Sequence, residues 1–332
     1  MNSKLSHISL LLVLVSGTFL INSCKQASEP CVEKTWYLDA DKDGLGDKNK
    51  SYQACDQPTG YVANSTDDND EPNKTPVSII PAKGYTTPAT YPALKLVWSD
   101  EFNGTALDEK SWNYEIGDGC PNNCGWGNNE LQYYKKENTS VKDGYLIIQA
   151  KQEAAGNRAY TSSRLTTQNK VNLKYGRIDI RSAMPKGQGI WPALWMLGKN
   201  IGTVGWPKCG EIDILEMIGG SATGRDDTAY GTVHWDNNNS HAMYGGNTRL
   251  TAGILNDEFH VFSIIWDAKK ITWYLDDRKF HEIDTTPAGL SEFQEDYFFI
   301  VNMAVGGNWP GNPDGSTVLP QHLVVDYIRV FQ

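Results

Sequence analysis

The sequence predicts an all-β protein: a jelly-roll β-sandwich of two antiparallel sheets with an open cleft on one face, preceded by a small acidic segment. Three observations predict it. From about Tyr91 onward the chain reads as short runs rich in Ile, Val, Tyr and Trp, several alternating with period two and separated by turn residues. Helical periodicity is scarce, with a single turn expected between Ala106 and Trp112. The 332 residues also include 31 Gly, 11 Trp and 16 Tyr, which suits a turn-rich fold carrying many flat amphipathic rings, as a sugar binder would.

Charge narrows the partners. With 30 Lys+Arg against 40 Asp+Glu the formal charge is −10, so no electrostatic footprint for a nucleic acid is present. The 21% charged and 39% apolar content is ordinary for a globular chain, which excludes a wholly disordered or fibrous protein.

Taken in order, residues 1–23 read as an export signal. Lys4 precedes an apolar stretch from Ile8 to Ile21 that is shorter than the roughly 20 residues needed to span a bilayer. It ends in Leu20-Ile21-Asn22-Ser23-Cys24, which resembles the lipobox of bacterial lipoproteins. That resemblance implies cleavage before Cys24, acylation of its sulfur, and membrane attachment at the outer membrane, cell surface or periplasmic face. Five cysteines then remain in an oxidising compartment. Cys120 and Cys124 can bridge locally, Cys31 and Cys55 can close the acidic segment, and Cys209 is left over.

Residues 24–71 form that acidic segment. Its centre, Asp39-Ala-Asp41-Lys-Asp43-Gly44-Leu-Gly46-Asp47, alternates Asp with Gly so that a tight turn can aim several oxygens at a hard cation. It resembles the calcium-binding repeats of thrombospondin type 3 modules, which makes Asp39, Asp41, Asp43 and Asp47 candidate Ca²⁺ ligands; the other reading is a solvated spacer. Residues 72–93, with five prolines from Pro72 to Ala93, read as a stiff linker, and residues 94–332 as the main domain.

The chemistry concentrates in Gly210-Glu211-Ile-Asp213-Ile-Leu-Glu216-Met-Ile-Gly219. In a strand, Glu211 and Asp213 share a face, but strict alternation would bury Glu216. A β-bulge near Ile214 and Leu215 absorbs one residue and returns Glu216 to the acidic face. Three like charges in a row on one face repel, so a merely structural strand would rarely carry them. Two Glu Cα atoms roughly 13 Å apart can lean inward over Asp213. Their carboxyls then reach the separation of about 5–5.5 Å used in double-displacement chemistry at a sugar's anomeric carbon. Crowding by Asp213 is expected to keep one of them protonated near neutrality.

The motif has company. Trp98-Ser-Asp-Glu101-Phe102, Trp126-Gly-Asn-Asn-Glu-Leu-Gln132, Thr161-Ser-Ser-Arg164 and Tyr175-Gly-Arg-Ile-Asp-Ile180 precede it. Gly189-Ile-Trp191-Pro-Ala-Leu-Trp195-Met196 leads up to it, and Gly231-Thr-Val-His234-Trp235, Gly306-Gly-Asn-Trp309-Pro-Gly311 and Val325-Asp326-Tyr-Ile-Arg-Val330 follow. In these pieces and their order the chain resembles the family 16 glycoside hydrolases, in particular the bacterial laminarinase-like endo-1,3-β-glucanases. The resemblance implies Glu211 as nucleophile, Asp213 as assisting carboxylate and Glu216 as acid/base. It implies hydrolysis, with retention, of internal β-1,3-glucosidic bonds in laminarin-type glucans. Mixed-linkage glucan, agarose or carrageenan as substrate, a sugar hydroxyl as acceptor, and a non-catalytic glucan-binding protein are the alternatives.

By the same resemblance Asn128, Arg164, Trp191, Trp195, His234 and Trp309 are substrate contacts, with Trp235 a weaker one. A structural calcium would be held by Glu101, the carbonyl near Gly144, and Asp326. No cofactor is expected for catalysis, since no His/Cys cluster has zinc spacing. A monomer is the expected state.

Overall fold

A computed structural model describes residues 32–41, 44–67 and 79–332. The leader, Cys24, Cys31 and Asp43 fall outside the described residues. The chain divides into two compact units, residues 1–74 and 75–332.

In the first unit, Lys34–Leu38 is the central strand, paired antiparallel with Ser51–Ala54 and Tyr61–Val62. The acids close turns beside it: Asp39 Oδ2 accepts from the Gly44 amide at 3.2 Å, and Asp47 accepts from the Asn49 amide at 2.8 Å while pairing with Lys50. Asp39, Asp41 and Asp47 do not form a three-donor metal group among the described residues. Cys55 is disulfide-bonded.

The second unit is the expected sandwich. One sheet has seven strands in the order His241–Arg249, Thr228–Asp236, Glu211–Glu216, Ile190–Gly198, Tyr297–Val305, Arg164–Thr166 and Asn113–Tyr114, every neighbouring pair antiparallel. The other has eight strands. Gly176–Ala183 and Gln321–Phe331 lie at its centre, and Leu96–Asp100 also pairs with Gln321–Phe331. The expected turn is made at Asp108, whose carbonyl accepts from the amides of Ser111 and Trp112.

Alternation accounts for the core. Ile178, Ile180, Phe262, Ile264, Ile328 and Val330 of the eight-stranded sheet meet Leu194, Met196, Ile212, Leu215, Val233, Phe299 and Val301 of the seven-stranded sheet in one buried cluster. Tyr297–Val305 is buried at every position. Its Phe299, Val301 and Met303 face the sandwich interior, while Phe298 and Ile300 pack with Leu197 under Trp195.

The linker expectation covers too much chain. From residue 79 the segment belongs to the second unit and is fixed to the eight-stranded sheet. The Phe259 amide donates to the Lys83 carbonyl at 3.0 Å, and the Tyr85 amide to the Phe259 carbonyl at 2.8 Å. Gly84 has φ +144°, and a Cβ there would lie 2.2 Å from the Phe259 carbonyl oxygen, so only glycine permits this approach. Thr87 is buried against the Tyr327 hydroxyl, and the Tyr91 hydroxyl donates to Asp179 at 2.6 Å. Prolines stiffen this stretch, but its polar groups find sheet partners.

Candidate active site

The interior strand Glu211–Glu216 carries the acids. Its register against both neighbours skips one residue: Asp213 faces Thr232 and Trp195, whereas Glu216 faces Tyr230 and Ala193. This is the expected bulge at Ile214–Leu215. Ile212, Ile214 and Leu215 enter the core, while Glu211, Asp213 and Glu216 all line one cleft of about 1080 Å³ on the outer face of the seven-stranded sheet.

The bulge is supported from behind. Trp273, fully buried in the eight-stranded sheet, donates from Nε1 to the Asp213 carbonyl at 2.8 Å. The same indole lies against Gly231 of the adjacent strand, where a Cβ would sit 2.4 Å from its Cδ1. Glycine at 231 thus makes room for the ring that satisfies the carbonyl freed by the bulge.

Each carboxylate has its own neighbours. Trp206 Nε1 donates to Glu211 Oε2 at 2.8 Å, and Trp191 Nε1 to Glu216 Oε1 at 3.0 Å. His234 Nε2 lies 3.7 Å from Glu211 Oε1 and 3.2 Å from Asp213 Oδ2. The latter contact is close but out of line for a hydrogen bond, so Asp213 Oδ2 is buried without an aligned donor. Burial, then the charge of Asp213, pushes the Glu211 carboxyl up to about 8. Burial also raises Asp213, and burial with the charges of Asp213 and Glu211 holds Glu216 well above the ordinary carboxylate range. The cluster therefore holds protons at neutral pH, and these titrations belong to the group rather than to single residues.

The expected sugar contacts Asn128, Arg164, Trp191, Trp195, His234 and Trp309 all line the cleft. Arg164 is more constrained than the sequence suggests. Its Nε is paired with Glu115, and its guanidinium sits between the Trp126 and Trp195 rings, 4.6 and 4.8 Å from their centroids. Trp195 is anchored by a hydrogen bond to Asn302, whose amide reaches the Tyr134 hydroxyl and through it the buried Glu130. Beyond Glu216, Trp309 stands edge-on to Trp191 and Tyr230. Trp235 leaves the cleft and packs on Phe293, as alternation from His234 requires.

Sequence reasoning missed Trp126, Trp206, Tyr230 and His241 as lining residues. His241 stacks on His234 at 5.1 Å and shares a 2.8 Å Nε2–Nδ1 hydrogen bond with it. The only signal for His241 was the Asn-rich turn that folds its strand back beside His234. Cys209 lies fully buried beside the motif as a free thiol, and Cys120–Cys124 form a disulfide.

The two carboxylates expected to hold a structural calcium, Glu101 and Asp326, are paired with arginines. Both carboxylate oxygens of Glu101 accept from Arg329, at 2.8 and 2.7 Å, and Asp326 is paired with Arg181 at 2.6 Å.

Comparison with known proteins identifies the family. The model of glycosyl hydrolases family 16 matches residues 123–329. The chain belongs to this family. Among similar proteins, the beta-glucanase of Rhodothermus marinus is 38% identical over 257 residues, covering 73% of this chain and 86% of that protein. The clotting factor G alpha subunit of Tachypleus tridentatus is 39% identical over 73% of this chain, which spans only 34% of that longer protein. Among solved structures, the catalytic domain of an endo-1,3-beta-glucanase (laminarinase) from Thermotoga petrophila is 44% identical, with a TM-score of 0.67 over 72% of this chain and 98% of that one. For a family 16 chain the jelly-roll sandwich found here is the expected architecture.

Proposed function

We propose that this chain is an endo-1,3-β-glucanase that hydrolyses internal bonds of laminarin-type glucans with retention at the anomeric carbon. One observation carries the reading. Three carboxylates on a single bulged strand share the floor of a cleft walled by indole rings. In its ionised form Glu211 attacks the anomeric carbon while Glu216, whose proton the site holds tightly, protonates the departing glycosidic oxygen. Glu216 then takes a proton from the water that releases the glycosyl group. Asp213, between them, biases the protonation of both. Trp191, Trp195, Trp206 and Trp309 offer faces and edges on which pyranose rings stack.

The beta-glucanase and laminarinase relatives support β-1,3-glucan over agarose or carrageenan, and the complete carboxylate set supports catalysis over recognition alone. The leader and Cys24 support an exported lipoprotein. The test is reducing-end release from laminarin, mixed-linkage β-glucan, agarose and carrageenan, with the Glu211→Gln variant alongside and the first-formed anomer read by proton NMR. Laminarin cleavage giving the β-anomer, lost in the variant, supports the proposal. Turnover of a galactan alone would overturn the substrate, and binding of laminarin without turnover would overturn the activity.

A further inference from the structure

The donors around Asp213 have a second use. Glu211, Asp213 and His234 each present one ligand atom, and these lie within 4.8 Å of one another. The two distances from His234 Nε2, 3.2 Å to Asp213 Oδ2 and 3.7 Å to Glu211 Oε1, bracket the edge of about 3.4 Å expected for a tetrahedron with metal–ligand bonds near 2.0–2.1 Å.

Two independent features single out these atoms. Asp213 is 2% exposed, and its Oδ2 has no aligned donor, so a buried acceptor waits on the side where the three groups converge. The remaining valences are already assigned. Trp206 holds the other oxygen of Glu211, which leaves Oε1 turned to His234. His241 Nε2 lies 2.8 Å from His234 Nδ1, so in the tautomer that donates from Nδ1 the His234 Nε2 keeps a free lone pair toward the carboxylates. An outer partner of this kind accompanies almost every metal-binding histidine.

We propose that Glu211, Asp213 and His234 form a site for a borderline divalent cation of the Zn²⁺ type, held in competition with the glucan chain. One imidazole and two carboxylates make a three-ligand set that leaves the fourth tetrahedral position open toward the cleft. The mixed N/O set and its small number of donors favour Zn²⁺, Ni²⁺ or Cu²⁺ over Ca²⁺ or Mg²⁺, which require six or more oxygens or an octahedron rich in water. Binding exchanges the cation for a proton of the carboxyl pair, which leaves to solvent. The site stands on geometry alone and does not depend on the reaction proposed above.

The test is calorimetric titration of the full chain, freed of metal by a chelator, with ZnCl₂, and with CaCl₂ and MgCl₂ as controls. Cobalt(II) absorption in the visible reports tetrahedral geometry without reference to activity. One saturable Zn²⁺ site is expected, weakened by laminarin oligosaccharides and insensitive to Ca²⁺ and Mg²⁺. Asp213→Asn and His234→Gln should each weaken it at least tenfold, and His241→Phe by roughly 10–100-fold, as loss of an outer partner does. Near-ultraviolet circular dichroism confirms that the variants are folded. Absence of saturable Zn²⁺ binding overturns the proposal. Undiminished binding in Asp213→Asn also overturns it, by placing the metal on the histidine pair or the acidic segment.

Discussion

Trp273 donates a hydrogen bond across the sandwich to the carbonyl of Asp213, joining the interior of one sheet to the bulge that arranges the acids of the other. Replacement by Phe keeps the ring and removes the donor, leaving a buried carbonyl unpaired at a cost of about 1–3 kcal/mol. Trp273→Phe is expected to lower the unfolding temperature and to lower kcat more than it changes KM. Thermal unfolding and laminarin kinetics check both. A variant less stable but with unchanged kcat would show that the bulge holds its shape without this bond.

The pH profile should respond to Asp213. Its charge raises both Glu211 and Glu216, after burial. Removing that charge makes both easier to ionise, so both limbs of the kcat/KM profile should move to lower pH in Asp213→Asn. The measurement is made on chelator-treated enzyme. A shift of either limb to higher pH would contradict the assignment.

Stability should depend on pH in the opposite sense to a paired carboxylate. Groups raised in the folded state bind protons more tightly there than in the unfolded chain. Stability is therefore lost as pH rises from about 4.5, the ordinary carboxylate value, through about 8, where Glu211 ionises. Glu216→Gln removes one such group. It should abolish activity yet raise the unfolding temperature at pH 8 by at least about 2 °C, with a smaller gain at pH 5. Calorimetry at the two pH values decides it.

Trp309 is 40% exposed at the rim of the cleft, where its open surface is positioned to pack against a sugar. A ring contact of about 0.5–1.5 kcal/mol corresponds to a roughly 2–12-fold rise in KM for Trp309→Ala, with kcat nearly unchanged. Steady-state kinetics on laminarin test this. A loss confined to kcat would move Trp309 from binding to chemistry.

The sandwich was legible because β-strands declare themselves locally: Ile178 and Ile180 alternate with Arg177 and Asp179 as the two faces demand. The bulge was legible because Glu216 could reach its fellow acids only if one residue dropped out of register. What escaped were relations set by distant partners. His241 reaches the site through a strand pairing, and Trp206 through the turn before Glu211. The arginines that hold Glu101 and Asp326 follow from sheet packing, which spacing along the chain does not encode. Proline content likewise says that residues 79–93 are extended, but not that Phe259 and Tyr327 hold them.

That clasp, together with the strand Leu96–Asp100, fastens the beginning of the catalytic body to Phe259, Tyr327 and the final strand Gln321–Phe331. The segment made first therefore waits for the segment made last. During synthesis nearly the whole body must leave the ribosome before its front edge has anything to hold, and pairings of such long separation form slowly.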